Sequence, residues 1–204
     1  MSARLALNII SKDWLEYRKP IALLTAGMFI PLIVSNRSSD FSKGMLAGIL
    51  ISASYSFAYS CFISERQRGT LQLLLSLPVE PFELVLAKYA SLYSMALVTA
   101  NLPAVFLGDL RLLFFLNAFV LLFSTICMAG TVVSEKPWAP MVPLWIVLVF
   151  FMPVQKILAR FYPDGLGLYH LMASHAMLLA AVAIGLAPLI AILSAVWFEW
   201  RQSA

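Results

Sequence analysis

Few residues in this sequence have the types and spacing that catalysis or metal binding requires. Cys61 and Cys127 each lie in an apolar run and have no neighbouring ligand at the spacing of a metal site. His170 and His175 are five positions apart and do not share one helix face, so we interpret them as exposed residues. The sequence contains neither the clustered aspartates of a phosphotransferase nor the glycine-flanked serine and membrane histidine of an intramembrane protease. It therefore predicts no catalytic residue and no metal site.

One polar stretch, from Glu65 to Pro78, has a pattern suited to mechanical rather than catalytic work. Gly69 permits a turn, Thr70 is a competent helix N-cap, and Pro78 disfavours helix beyond residue 77. Leucines at alternate positions also fit a strand, but a single strand beside a membrane would leave its backbone unpaired. We therefore predict a short amphipathic helix, with Leu71, Leu74 and Leu75 on its apolar face and Gln72 and Ser76 on its polar face.

The surrounding chain is too apolar for a water-soluble protein of 204 residues. Hydrophobic residues make up 62% of it, charged residues only 12%, and the mean hydropathy is +0.90. Soluble domains are about 45–50% apolar and about 25% charged, so we expect lipid to surround the excess. The net charge of +4 is spread between apolar segments and forms no basic stripe, which argues against nucleic-acid binding.

Apolar runs long enough to cross a bilayer recur along the chain, and they predict an all-α integral membrane fold with six transmembrane helices. The predicted spans are residues 21–35, 44–63, 89–107, 112–133, 139–154 and 176–198. An amino terminus in the cytoplasm places nine Lys and Arg residues inside and five outside, in agreement with the positive-inside rule. We therefore predict a multi-pass protein of the plasma or inner membrane, with both termini in the cytoplasm.

Residues 3–19 predict an amphipathic helix that lies in the membrane interface. Polar residues recur every four positions from Arg4 to Glu16, and Trp14 and Tyr17 lie on the opposite, apolar face. Aromatic rings are enriched at the level of the lipid headgroups. An ordinary cytoplasmic helix packed on a partner is the alternative interpretation.

On physical grounds alone, the stretch from Glu65 to Pro78 would be a plain loop helix resting on the bilayer. It also resembles the signature of type 2 ABC transporter (ABC-2) permease subunits, which is a glutamate, a Gly-Thr pair, a leucine-rich turn and a proline. Here these residues are Glu65, Gly69, Thr70, Leu71 to Leu75 and Pro78. Lys88 is similar to the lysine that commonly opens the third span in the family, whereas Gln72 replaces the glutamate of many members.

The resemblance implies a fold and a mechanism. Such permeases work as dimers, and a coupling helix in each subunit transmits the ATP-driven closure of a separate nucleotide-binding subunit. By resemblance, residues 1–20 would be an elbow helix and 21–204 the transmembrane domain, with a cytoplasmic coupling loop at 64–88 and an outer re-entrant segment at 155–175. Glu65 would be a hinge or salt-bridge partner. The chain lacks a Walker-type phosphate-binding loop, so no cofactor is expected in it, and ATP and Mg are expected in a partner ATPase.

Small and polar residues within the predicted spans leave two interpretations open. A stripe of small residues at every fourth position of the second span predicts either packing within the chain or a dimer seam. Two tyrosines beside it, and two asparagines in the third and fourth spans, would line a substrate path or serve as packing residues and hydrogen-bonded contacts. The stripe is Gly44, Gly48, Ser52, Ser56 and Ser60, and the possible path residues are Tyr55, Tyr59, Asn101 and Asn117.

The predicted function is the transmembrane permease subunit of an ATP-driven exporter, coupled to a separate ATPase subunit and paired with a second permease copy or a homologous permease. Two alternatives remain. Length and loop pattern also resemble haem-export-type permeases of cytochrome c maturation, and a non-transporting, multi-span assembly or scaffold protein fits the composition. No predicted span carries an acidic residue or a lysine near its middle, which argues against an ion-coupled transporter.

Overall fold

The computed structural model describes residues 3–34, 40–76, 79–107, 110–134, 136, 138–142, 145, 149, 157 and 174–203. In this part of the chain the regular structure is helical throughout, which confirms the all-α class. In chain order the elements are α1 (Ala3–Val34), α2 (Asp40–Ala58), a π-helical turn (Tyr59–Ser64), α3 (Glu65–Gln67), α4 (Thr70–Leu75), α5 (Pro81–Leu107), α6 (Leu110–Ser134), a 3₁₀ turn (Ala139–Met141) and α7 (Ala176–Ser203).

Helices α5 and α6 pack antiparallel, and two hydrogen bonds define their register. The hydroxyl of Tyr93 lies 2.7 Å from Thr125 Oγ1, and Asn117 Nδ2 donates to Asn101 Oδ1 at 2.7 Å. Position numbers therefore rise along one helix as they fall along the other. The start of α5 and the end of α6 consequently lie at the same end of the bundle.

We call this end of the bundle the charged end and define it by Asp13, Glu65 and Lys88. Lys88, near the start of α5, donates to Asp13 in the first half of α1. The rings of Phe62, just before Glu65, and Phe198, near the end of α7, meet edge to face with centroids 5.4 Å apart. The start of α1, helices α3 and α4, and the carboxyl ends of α6 and α7 therefore meet here.

Helix α7 has its small residues inside and its large apolar residues outside. Four alanines at every fourth position are buried against the bundle, and they are Ala183, Ala187, Ala191 and Ala195. Ile184, Leu193 and Trp200 point outward and are 60–65% exposed. Exposed large apolar side chains are unfavourable in water, whereas close packing through small residues is typical of helices in lipid.

The prediction of six transmembrane helices is wrong. Within the described residues, two helical segments are long and apolar enough to cross a membrane, Leu116–Ser134 and Ala180–Ser203. The predicted second span falls on α2 with its π-helical turn, part of which lies outside the described side chains. The predicted third span falls on α5, where hydroxyl, phenol and amide side chains lower the mean hydropathy. The predicted fifth span lies mostly outside the described residues, and its described part begins as the 3₁₀ turn Ala139–Met141.

The predicted boundary between an elbow helix and a first span does not interrupt α1, which runs through Pro20 from Ala3 to Val34. The orientation of the faces also differs from the prediction. Tyr17 is 8% exposed and faces the bundle, while Leu7 and Leu15 are 63% and 62% exposed. The interfacial interpretation took the polar side as the outer one. In the structure Asn8 and Glu16 of that polar side are exposed, and Asp13 beside them turns inward to its charged partner Lys88.

Candidate functional site

The candidate site begins where α2 ends, in the π-helical turn Tyr59–Ser64. The turn buries Cys61, Phe62 and Ile63 in the core and leads directly into Glu65. Short α3 then closes at Gly69, whose φ of +75° reverses the chain before α4. This left-handed conformation is unfavourable for residues with a Cβ atom, which explains why a glycine occupies the position. The turn predicted at Gly69 is therefore confirmed.

Thr70 has a different role from the predicted N-cap. It is the first residue of α4, and Gly69 occupies the N-cap position without a side-chain hydrogen bond. The Thr70 hydroxyl donates instead to the backbone carbonyl oxygen of Glu65 at 3.1 Å. Because this bond satisfies a carbonyl at the start of α3, it ties α4 to the preceding turn.

Helix α4 has the amphipathic face that leucine spacing predicts. Leu71 is 2% exposed, and Leu74 and Leu75 are half-buried against the core. Gln72 is exposed as predicted, and Leu73 projects outward with 68% of its surface exposed. A solvent-facing leucine beside a glutamine gives α4 an unoccupied outer face. Pro78, which was predicted to end this helix, lies outside the described residues.

A buried lysine joins three elements beneath this surface. Lys88 Nζ lies 2.8 Å from Asp13 Oδ1 of α1 and 2.8 Å from Glu65 Oε1 of α3. The side chains of Lys88 and Asp13 are 0% exposed and that of Glu65 is 2% exposed. Since removal of one partner leaves an uncompensated buried charge, these ion pairs fix the relative positions of α1, α3 and α5.

Three further charged residues surround this buried trio. Lys12 pairs with Glu65 Oε1 and lies 3.7 Å from Glu16 Oε2. Glu16 Oε1 in turn accepts a hydrogen bond from Arg68 at 2.8 Å. The outer pair is more exposed than the trio and contributes about 0–1 kcal/mol. Its role is to link α1 to the residue immediately before Gly69.

The buried trio holds its lysine charged. Burial alone would lower the pKa of Lys88, but the carboxylates of Asp13 and Glu65 raise it above its ordinary value. Burial raises the pKa of Asp13, and the ammonium of Lys88 only partly offsets that effect. Such a cluster can hold helices together and transmit movement, and nothing in its geometry provides a nucleophile.

From the sequence, Glu65 was predicted to be a hinge or salt-bridge partner, and Lys88 was singled out as similar to a lysine of the family. Asp13 was not predicted to belong to the cluster. Asp13 lies 75 positions from Lys88 and was hidden among the other charges of the first helix. One available signal was the placement of Glu65 and Lys88, which border apolar runs on either side of one loop. Two opposite charges at such borders lie at a similar depth and can pair.

The small-residue stripe lies on the outer surface of α2. Gly48, Ser52 and Ser56 are exposed, and a Cβ atom on Gly48 would meet no atom within 4 Å. The hydroxyls of Ser52 and Ser56 donate to backbone carbonyl oxygens one turn earlier, at 3.0 and 2.7 Å. Among the described residues, these three positions are therefore not packed against another helix. Ser60 is half-buried, and the side-chain surroundings of Gly44 lie outside the described residues.

The possible path residues do not form one cluster. Tyr55 and Tyr59 are half-buried with ring centroids 6.2 Å apart, and Tyr55 lies near Cys127 of α6. Asn117 bonds Asn101, as the hydrogen-bonded interpretation predicts. Asn117 is ten positions from Cys127 along α6, which corresponds to about 15 Å. The tyrosines and the asparagines therefore lie at different levels of the bundle.

Two further predictions concern the outer segment and metal binding. Most of residues 155–175, including His170, lies outside the described residues. His175 Nδ1 lies 2.9 Å from the Ser174 hydroxyl at the start of α7. In the described part of the chain, no three His, Cys, Asp or Glu side chains are grouped in a way that could hold a metal ion.

Comparison with protein-family profiles, curated proteins and solved structures finds no match to this chain.

Proposed function

We propose that this chain is the membrane subunit of an ATP-driven exporter and that α4 docks a separate cytoplasmic ATPase. The observation that carries the proposal is the double character of α4. Its outer face presents the exposed Gln72 and Leu73, and its base is tied through Glu65 to the buried Lys88. A push on α4 would therefore move α5 and α1, because buried ion pairs resist separation.

The location of the charged end supports a cytoplasmic position for α4. Arg66, Arg68, Lys136 and Arg201 belong to this end, as do the start of α1 and the end of α7. Basic residues accumulate on the cytoplasmic side of membrane proteins. We therefore propose a multi-pass protein of the plasma or inner membrane with both termini in the cytoplasm, on the side where ATP is available.

The outer face of α2 supports pairing with a second permease copy or a homologous permease. Gly48, Ser52 and Ser56 form an exposed groove whose hydroxyls are bonded internally. Small residues of this kind let two membrane helices approach closely. In the proposed exporter this groove is the dimer seam, and the substrate passes between the two subunits.

The first test is purification of the tagged chain from its host membrane in mild detergent, with mass spectrometry and an ATPase assay. We expect an ATPase with a Walker-type loop in equal ratio, and we expect Leu73→Asp to abolish both its capture and the hydrolysis. Glu80→Gln is the matched control, because Glu80 is exposed near the same end but lies outside α4. Purification of the chain without ATPase activity would favour the scaffold alternative.

A second test separates docking from coupling. Gly69→Val should strain the left-handed residue before α4, and Leu74→Asp should weaken its attachment to the core. We expect both variants to insert and to bind the ATPase, while hydrolysis no longer drives transport. Full transport in both variants would remove the coupling role from α4.

A further inference from the structure

The π-helical turn Tyr59–Ser64 interrupts what would otherwise be one α-helix from α2 into α3. Ala58 before it (φ −61°, ψ −43°) and Glu65 after it (φ −66°, ψ −39°) both have α-helical torsion angles. A π turn accommodates one more residue than an α turn, and such turns are frequent at functional sites. A shift of the hydrogen bonds by one residue would therefore make the helix continuous.

A hydrogen bond from outside the helix holds the turn in its wide form. The buried hydroxyl of Tyr17, on α1, donates to the backbone carbonyl oxygen of Ser60 at 3.0 Å. A wide turn displaces its carbonyl groups from their α-helical donors, and a side-chain donor can compensate for that displacement. Tyr17, which belongs to α1, thus stabilises the π form of the turn through this hydrogen bond.

The contact at the other side of the turn is only partly satisfied. Glu65 uses one oxygen, Oε1, for both Lys12 and Lys88, whereas its Oε2 is buried without a hydrogen-bond partner among the described residues. A partly satisfied buried carboxylate gives a weaker hold than a fully bonded one. Conversion of the turn to α-helix would rotate Glu65 by about 100° and move it by about 1.5 Å, away from Lys88.

We propose that the π-helical turn is a two-state element. Its π form is stabilised by the hydrogen bond from Tyr17 and maintains the ion pair between Glu65 and Lys88. Its α form releases Glu65 and turns α3 and α4 as one unit. The proposal stands apart from the identity of the ATPase, since it concerns only contacts within the chain. It assigns Tyr17 a role in positioning Glu65 through its hydrogen bond to the turn.

Cys61 provides a probe inside the turn. It is 0% exposed, so it reacts slowly with maleimide in the π form. The experiment uses the full chain in lipid nanodiscs with Cys127→Ser, so that Cys61 is the one thiol. We expect Tyr17→Phe to accelerate labelling of Cys61 by about tenfold, which is the population shift that loss of one hydrogen bond produces.

Two controls distinguish local switching from general loosening. Tyr93→Phe removes another hydroxyl hydrogen bond, to Thr125, and should leave the labelling of Cys61 unchanged. With Cys61→Ser instead, the buried Cys127 should label at the same slow rate with and without Tyr17→Phe. An unchanged rate at Cys61, or equal acceleration at both cysteines, would overturn the proposal.

A one-residue deletion tests the turn itself. Deletion of Ser64, which lies in the turn but does not accept the Tyr17 hydrogen bond, leaves the number of residues that an uninterrupted α-helix needs and should keep the faces of α2 and α3 in phase. In that background Tyr17→Phe should no longer alter Cys61 labelling, because the π form is absent. Continued acceleration would show that Tyr17 acts without the turn and would contradict the proposal. If the deletion variant does not fold, the comparison of the two cysteines decides the question alone.

Discussion

Lys88 Nζ and Asp13 Oδ1 lie 2.8 Å apart in a pair whose two side chains are both 0% exposed. The pair joins the first half of α1 to the start of α5. Replacement of such pairs by apolar residues is often neutral or stabilising, so the pair contributes a specific arrangement more than net stability. Removal of one partner alone is instead strongly destabilising, because it leaves the other partner buried without its opposite charge.

Replacement of Lys88 by methionine should destabilise the fold by about 3–5 kcal/mol, because Asp13 and Glu65 would lose their buried cation and keep only the half-exposed Lys12 as a partner. Thermal or denaturant unfolding in detergent measures the change. Lys88→Arg keeps the charge and should lose less. Glu80→Gln, at an exposed position before α5, should change stability by less than about 0.5 kcal/mol. Equal stability of Lys88→Met and the native chain would rule out the structural role of the trio.

Alkaline pH should weaken the fold through the same lysine. The pKa of Lys88 is raised in the folded chain, so its stabilising contribution is fully present below the unfolded value near 10.4. That contribution is lost as the pH rises through the higher, folded value. Unfolding midpoints measured from pH 9 upward should therefore fall more steeply in the native chain than in Lys88→Met. Parallel curves would show that Lys88 does not titrate as its surroundings require.

The two faces of α4 should respond differently to truncation. Leu71 is 2% exposed, so Leu71→Ala should cost about 2–5 kcal/mol of stability through lost burial and a cavity. Leu73 is 68% exposed, so Leu73→Ala should change stability by less than about 0.5 kcal/mol. Unfolding of the purified chain, without any partner, provides the measurement. A large loss from Leu73→Ala would mean that this residue packs within the chain.

Gly130 should tolerate no side chain. A Cβ atom there would lie 2.9 Å from the backbone carbonyl oxygen of Ala139, which cannot move aside as a flexible side chain can. Gly130→Ala should therefore cost about 1–3 kcal/mol. Gly185, in α7, has nothing within 4 Å, and Gly185→Ala should be neutral or stabilising by up to about 1 kcal/mol. The difference between the two unfolding midpoints tests the close approach of the turn to α6.

Local patterns allowed the prediction of local features. The spacing of Leu71, Leu74 and Leu75 indicated the buried face of α4, and Gly69 indicated the turn before it. The hydrogen bond between Asn101 and Asn117 agrees with one of the interpretations that the sequence left open, since a polar group within an apolar segment needs a partner. Each of these inferences depends on short-range geometry or on burial of a polar group.

Long-range features were not predictable from the same patterns. Counting apolar runs led to too many spans, because a run without charges was taken as a span even where hydroxyl, phenol and amide side chains lower its mean hydropathy, as in α5. The continuity of α1 through Pro20 depends on tertiary packing, which can override the local cost of proline. The inward turn of Asp13 depends on Lys88, and residue spacing carries no information about a partner 75 positions away.

The wide separation of the pair also sets an order of events during synthesis. Asp13 leaves the ribosome 75 residues before Lys88, which at about 5–20 residues per second means a delay of about 4–15 s. During that interval the cation that the described residues place beside Asp13 is Lys12, 3.8 Å away in the finished fold. The amino-terminal half therefore waits for α5 to bring Lys88, the buried partner of Asp13. A chain halted before residue 88 would remain open at this point, where quality-control proteases can recognise it.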